Sequence, residues 1–218
     1  MSPPGEGDDR AAILDRAAAA LGVEWSAAVR DRLMGFLDLV LRWNRVYNLT
    51  AIREPREALI QHVIDSLAVV PPLRLRAPTA HEVLDVGTGA GLPGAVLAIA
   101  CPDLRVACVD AVDKKASFIR QAAAELAIPN LEAIHARVEH LAPRQWDLIT
   151  SRAFAALPRF CELTRPVLRE GGCWMALKGQ RPNAEIADLP SWVRVFHVEP
   201  LSVPGLEAER CLVWMGQA

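Results

Sequence analysis

Val83-Leu84-Asp85-Val86-Gly87-Thr88-Gly89-Ala90-Gly91-Leu92-Pro93-Gly94 begins with apolar residues broken by one carboxylate, Asp85. Glycines then recur at every second position, and an apolar segment runs from Ala95 to Ala100. A short apolar run that stops at glycine reads as a buried strand. The glycines allow a tight turn and a close approach of backbone to a ligand. Residues 92–100 read as a helix, with Pro93 near its first position, where a missing N–H removes no intrahelical bond. Strand, glycine turn and helix N-terminus together make a nucleotide-cofactor site, because free N–H groups at the helix start face the ligand.

The sequence around this stretch alternates between β-rich and helical runs. Strands are expected at residues 83–86, 105–110, 131–135, 146–151 and 173–177, with helices at 92–100, 114–126 and 157–168. That rhythm predicts a parallel sheet covered by helices on both faces. Residues 194–198 and 211–215 read instead as two strands joined by a loop carrying Pro204-Gly205, an antiparallel pair at the sheet edge. Upstream, three helices are expected at 10–21, 26–43 and 55–70, the last ended by Pro71-Pro72. The polar stretch from Trp43 to Thr50 reads as a turn. The expected fold is α/β: a Rossmann-like, mostly parallel sheet with an antiparallel C-terminal hairpin. An N-terminal helical region (1–75) precedes the sheet domain (76–218).

Composition narrows the function classes. The chain has 218 residues, half of them hydrophobic, and a formal net charge of −2. A protein that holds nucleic acid by bulk charge usually carries a basic excess, although a local basic patch is compatible with these numbers. Five cysteines, Cys101, Cys108, Cys161, Cys173 and Cys211, form no C-x-x-C pair. They read as buried thiols of a reducing compartment, with no disulfide or metal framework. No apolar leader and no continuous membrane-length run is evident, so the expected location is the cytoplasm.

Residues at the carboxyl ends of the strands select the cofactor. Gly89-x-Gly91-x-x-Gly94 with Asp110 downstream can be matched to a dinucleotide fingerprint. However, the alternate glycines begin earlier, at Gly87. Asp85 would also repel a pyrophosphate while suiting an ammonium or sulfonium group. S-adenosylmethionine carries both and has no phosphate. A dinucleotide, or a glycine turn that merely closes the β–α junction, remains as an alternative. Asp110 can accept both hydroxyls of a ribose. After the third strand, Arg137-Val138-Glu139 offers a backbone N–H or the Glu139 carboxylate to a purine edge.

Several further stretches carry a resemblance. Trp43-Asn44-x-x-Tyr47-Asn48-Leu49-Thr50, His62-x-x-Asp65-Ser66, the 85–94 loop and Arg137-Val138-Glu139 belong to it. So do Ser151-Arg152-Ala153-Phe154-Ala155, Leu177-Lys178-Gly179-Gln180 and Glu209-Arg210. Together they resemble the ribosomal RNA small-subunit methyltransferase G family, also called glucose-inhibited division protein B, from Trp43 to Val213. Cys211 stands where histidine is common in that family, and Ala111 where serine is common. The resemblance implies an S-adenosylmethionine-dependent enzyme that methylates N7 of one guanine in the decoding-region loop of 16S rRNA. The cofactor contacts expected from the residues are Asp85, Gly87, Gly89, Gly91, Leu92, Asp110, Val138, Glu139 and Arg152. The acceptor would be 16S rRNA or the small ribosomal subunit, and the enzyme a monomer without metal. A methyltransferase acting on a small molecule or a protein is the alternative.

The residues fit N7 chemistry. Exocyclic-amine methyltransferases typically carry an (Asp/Asn)-Pro-Pro-(Tyr/Phe) loop after the fourth strand; here Ser151-Arg152-Ala153-Phe154 stands there. Pyrimidine C5 chemistry needs a nucleophilic cysteine, usually after proline, and no Pro-Cys pair occurs. Guanine N7 attacks with an in-plane lone pair and needs no general base. Arg152, Lys178 and Arg210 are the candidate catalytic residues, with Arg152 nearest the cofactor and Lys178 and Arg210 on RNA phosphates. Asn44, Asn48, His62 and Asp65 are expected chiefly to pack the helical region onto the sheet, and Tyr47 or Phe154 to stack a base or fill the interior.

Overall fold

The computed structural model describes residues 6–141 and 144–218. The chain starts with α1 (Glu6–Leu21) and α2 (Ala27–Tyr47). Ser26 caps α2, its hydroxyl accepting the Val29 N–H at 3.4 Å, and Leu33, Phe36, Leu37 and Val40 line the buried face. This helix runs four residues past its expected end at Trp43. The stretch from Trp43 to Tyr47 is therefore helical, and the turn begins at Asn48, whose φ of 48° forms a left-handed cap. Asparagine tolerates that conformation better than most residues.

A second departure concerns the prolines. Helical structure continues through α3 (Pro55–Ala58), a π-helical turn (Leu59–Ile64) and α4 (Asp65–Leu67). After a short turn, α5 (Val70–Arg76) follows with Pro71 and Pro72 in its first positions. The two prolines thus open a helix, the position where their missing donors are not required. By length and composition, Pro55–Arg76 is the one helix among the described residues able to cross a membrane. Its apolar side chains Leu59, Val63, Ile64 and Leu67 are instead fully enclosed in the core.

The sheet follows with β1 (Glu82–Val86), α6 (Gly94–Ala100), β2 (Arg105–Asp110), α7 (Asp113–Glu125), β3 (Leu131–His135) and β4 (Trp146–Arg152). Then come α8 (Leu157–Thr164), β5 (Leu168–Lys178), α9 (Asn183–Ala187), β6 (Val193–Pro200) and β7 (Cys211–Gln217). Pro166 lies in a 3-10 turn after α8, so the helix stops at Thr164 and β5 starts at Leu168, earlier than expected. The strand order is β3-β2-β1-β4-β5-β7-β6, with β7 antiparallel to both neighbours and the other pairings parallel. The expected mostly parallel sheet with an antiparallel C-terminal pair is therefore present.

Alternation along the strands builds two apolar layers. Val83, Val106, Leu148, Met175 and Trp214 face one layer, which also holds Leu14, Phe36, Val63 and Phe118 from the helices. Leu84, Ala107, Ile149, Trp174 and Val213 face the other, against Leu157 and Phe160 of α8. Strand order reverses between β1 and β4, and a crevice at their carboxyl ends is where ligands bind in such sheets.

Candidate active site

The 85–94 stretch runs from the carboxyl end of β1 into α6, beside that reversal. Its turn is pinned to β2, because the Gly87 N–H donates to the Val109 carbonyl at 2.9 Å. Gly87 has φ of 64°, and a Cβ there would strike the ring of Phe154. That position therefore requires glycine on two counts. Asp85 is wholly buried. Its Oδ2 accepts the Thr88 hydroxyl at 2.5 Å and the Gly94 N–H at 2.9 Å, tying both ends of the loop to β1. Its Oδ1 has no partner, and neither does the hydroxyl of Thr150, the residue paired with Asp85 across β1 and β4. Burial pushes the Asp85 carboxyl up to about 6, against the opposing pull of the Thr88 and Gly94 hydrogen bonds. A buried oxygen left without a donor fits a polar or cationic ligand group better than an anionic one.

Asp110 closes the adjoining side. Its Oδ2 accepts the Gly89 N–H at 3.0 Å and its Oδ1 the Val112 N–H at 2.9 Å, with Lys115 Nζ 3.6 Å from Oδ2. The carboxylate thus braces the glycine loop, and each oxygen keeps a second lone pair for a hydroxyl donor. Val138 is buried in a 3-10 turn after β3, whereas Glu139 is exposed, 3.8 Å from Arg159. Leu92 donates its N–H to the Thr88 carbonyl at 3.0 Å and packs its side chain in the core.

The cations divide into two groups. Arg152, ending β4, donates from Nη1 to Asp65 Oδ2 and to the Gln61 carbonyl, both at 2.9 Å. Arg210, just before β7, donates from Nε to Asp65 Oδ1 at 2.9 Å. One buried carboxylate from the helical region therefore joins two of the three candidate cations. Lys178 stands apart: its Nζ lies 2.7 Å from Glu185 on α9 and 3.3 Å from the Ala155 carbonyl. The same Glu185 oxygen accepts the Leu157 N–H at 2.7 Å, so it also caps α8.

The matched region of a family model decides the affiliation. The model for rRNA small subunit methyltransferase G, GidB, matches residues 30–213. The chain belongs to this family. A relative named ribosomal RNA small subunit methyltransferase G, from Methylibium petroleiphilum, is 58% identical over 203 residues, covering 93% of this chain and 92% of that protein. Another of the same name, from Leptothrix cholodnii, is 57% identical, covering 91% of each. Among solved structures, an O-methyltransferase from Bacillus cereus in complex with SAH aligns with a TM-score of 0.56 at 14% identity, covering 93% of this chain and 96% of that one. A SAM-dependent methyltransferase from Aquifex aeolicus aligns at 0.55 and 17% identity, covering 77% and 96%. At such identities the likeness establishes the fold: this member of the family has the methyltransferase sheet.

Sequence motifs in this family member marked Asp65 and His62 without revealing their partners. His62 is buried, with its Nε2 2.9 Å from the Thr50 hydroxyl and no partner at Nδ1. Burial, then the charge of Arg152, lowers its pKa to about 4. Asn44 is a brace: its amide donates to the Ile52 carbonyl at 3.0 Å, and its oxygen accepts the Thr50 N–H at 2.9 Å. Phe154 is half-buried and packs against Phe160, while Tyr47 is exposed and tilted on Trp43 with ring centroids 4.9 Å apart. Glu185 lies on a short helix that sequence reading did not anticipate, and no motif pointed to it. Among the described residues, no three His, Cys, Asp or Glu side chains converge as a metal site.

Proposed function

We propose that this chain is a cytoplasmic, monomeric, metal-free enzyme that methylates N7 of one guanine in the decoding-region loop of 16S rRNA. Membership of the methyltransferase G family over residues 30–213 carries this reading. The loop supports the cofactor assignment: the unpartnered Oδ1 of Asp85 suits the ammonium or sulfonium side of S-adenosylmethionine. Asp85, Asp110 and the backbone of Gly87, Gly89, Gly91 and Leu92 would hold that group, with Val138 and Glu139 beside its adenine. When bound, S-adenosylmethionine supplies the sulfonium methyl: N7 gains the N–C bond, the S–C bond breaks, and its electron pair stays on sulfur.

The chain's own residues then have to position the acceptor. Asp65 is occupied by two guanidiniums and the His62 ring is buried, so neither is placed as a free base. N7 needs none, since its lone pair attacks without losing a proton. Positioning alone can supply about 7–11 kcal/mol of a barrier. Methylation leaves a positive charge on the guanine ring, so Arg152, Lys178 and Arg210 are better directed at phosphates or O6 than at N7. Tritiated S-adenosylmethionine incubated with small subunits lacking their own methylation tests the reading. Label in 16S rRNA supports it, and unlabelled RNA refutes it.

A further inference from the structure

Asp65 sits on α4 with its side chain 1% exposed, and each of its oxygens is taken by a different arginine at 2.9 Å. The strands that deliver these arginines are not neighbours, since β5 separates β4 from β7. Two strand spacings, about 10 Å, would otherwise keep the two like charges apart. The carboxylate gathers them into one assembly with a net charge of +1. Arg152 spends only Nη1 on protein acceptors, and Arg210 spends Nε on Asp65 and Nη1 on the Glu209 carbonyl. Arg152 Nε and Nη2 and Arg210 Nη2 have no acceptor among the described residues. Both side chains are 22% exposed, so these donors can reach a ligand.

Arg152 is near enough to Asp85 to stabilise its charge. Arg210 lines a cleft of about 410 Å³ with Gly179, Gln180, Arg181, Leu201 and Glu209. A guanidinium fork matches a phosphodiester by geometry as well as charge. A buried ion triad is weak evidence for stability, because apolar replacements of similar volume are often as stable. Orientation is the better account of this one.

We propose that Asp65 is a positioning residue for methyl transfer: it locks Arg152 and Arg210 into one fork that seats a single phosphate of the acceptor strand beside the cofactor loop. The proposal rests on the rRNA methyltransferase reading. Replacing Asp65 by asparagine keeps the volume, but its amide N–H groups face one guanidinium and release it. The local charge becomes more positive, so attraction for RNA is not weakened while alignment is.

The test is a double-mutant cycle on methylation of small subunits, with rates normalised to the S-adenosylmethionine-binding fraction. Asp65→Asn is expected to lower kcat by about 100-fold, the scale of a 1 Å misplacement, with KM for subunits little changed. In an Arg152→Gln/Arg210→Gln background the same change is expected to cost less than about threefold, because its targets are gone. Equal losses in both backgrounds, or a near-normal kcat for Asp65→Asn, would overturn the proposal and leave the rRNA reading intact. No label with the wild-type enzyme would overturn both. Should Asp65→Asn fail to fold, the wild-type structure with S-adenosylhomocysteine and an RNA fragment decides: both arginines on one phosphate supports the fork, and separate groups refute it.

Discussion

Gly94 donates its backbone N–H to Asp85 Oδ2 at 2.9 Å, and a Cβ built on Gly94 would fall 2.8 Å from that same oxygen. The start of α6 is therefore docked on the β1 carboxylate with no room for a methyl group. Cys108 of β2 closes the other side of the same space. Gly94→Ala is expected to cost about 1–3 kcal/mol through this overpacking. S-adenosylmethionine affinity should fall with it. Urea unfolding and titration calorimetry read both, and unchanged values would contradict the described loop.

The Asp85 carboxylate itself should bind the cofactor. Asp85→Ala is expected to abolish measurable S-adenosylmethionine binding by calorimetry, since it removes both the loop anchor and the unpartnered oxygen. Retained affinity would refute that use of the carboxylate.

Two buried groups near the crevice give opposing pH dependences. Asp85 titrates at about 6 in the folded chain against an ordinary 3.8. The folded state holds more protons in that window, so this contribution to stability falls as pH rises from about 4 to 6, by on the order of 3 kcal/mol. His62 titrates at about 4 against an ordinary 6.5. There the unfolded state holds more protons, so its contribution rises over a similar range. His62→Gln removes only the rising part. Relative to wild type, the variant should be more stable near the acid end of the window than at neutrality. Urea denaturation at several pH values measures the difference, and a pH-independent difference would contradict it.

Much of the sheet was legible locally because buried strands and glycine turns carry short-range signals. Strands β2 and β3 end where the sequence placed them, and the strand, glycine turn and helix start around Asp85 were readable as well. What escaped depends on distant partners or on local ambiguity. Pro71 and Pro72 signal a helix boundary, but the same residues fit a start as well as a stop. Asn44 looks turn-prone, yet it is helical because its side chain is satisfied by Thr50 and Ile52. The Asp65 pairs join residues 87 and 145 positions apart, a relationship that no periodicity encodes.

Lys178 offers a separate test of the acceptor side. Its partner Glu185 still caps α8 when the lysine is removed, so Lys178→Ala should preserve the fold, with a stability loss of no more than about 1 kcal/mol. S-adenosylmethionine binding should persist while methylation of small subunits falls at least tenfold, on the order expected for a lost charged hydrogen bond. Lost cofactor binding with retained transfer would reverse the assignment.

A stability control lies away from the crevice. Trp174 donates its indole N–H to the Thr164 hydroxyl at 2.8 Å, and Thr164 donates to the Phe160 carbonyl at 2.6 Å, all within the core. Thr164→Val leaves a buried donor unsatisfied and should cost about 1–3 kcal/mol in urea unfolding. The kcat of the folded fraction should be unchanged. A large kcat effect would show that the α8 layer shapes the site.

The transferred methyl group is expected on guanine N7. N7-methylation makes a guanine glycosidic bond labile, so borohydride and aniline cleave the RNA at that nucleotide. Small subunits lacking their own methylation, treated with the enzyme and S-adenosylmethionine, should yield one new cleavage in the decoding-region loop of 16S rRNA. No cleavage there, or label recovered on an exocyclic amine, would contradict the account.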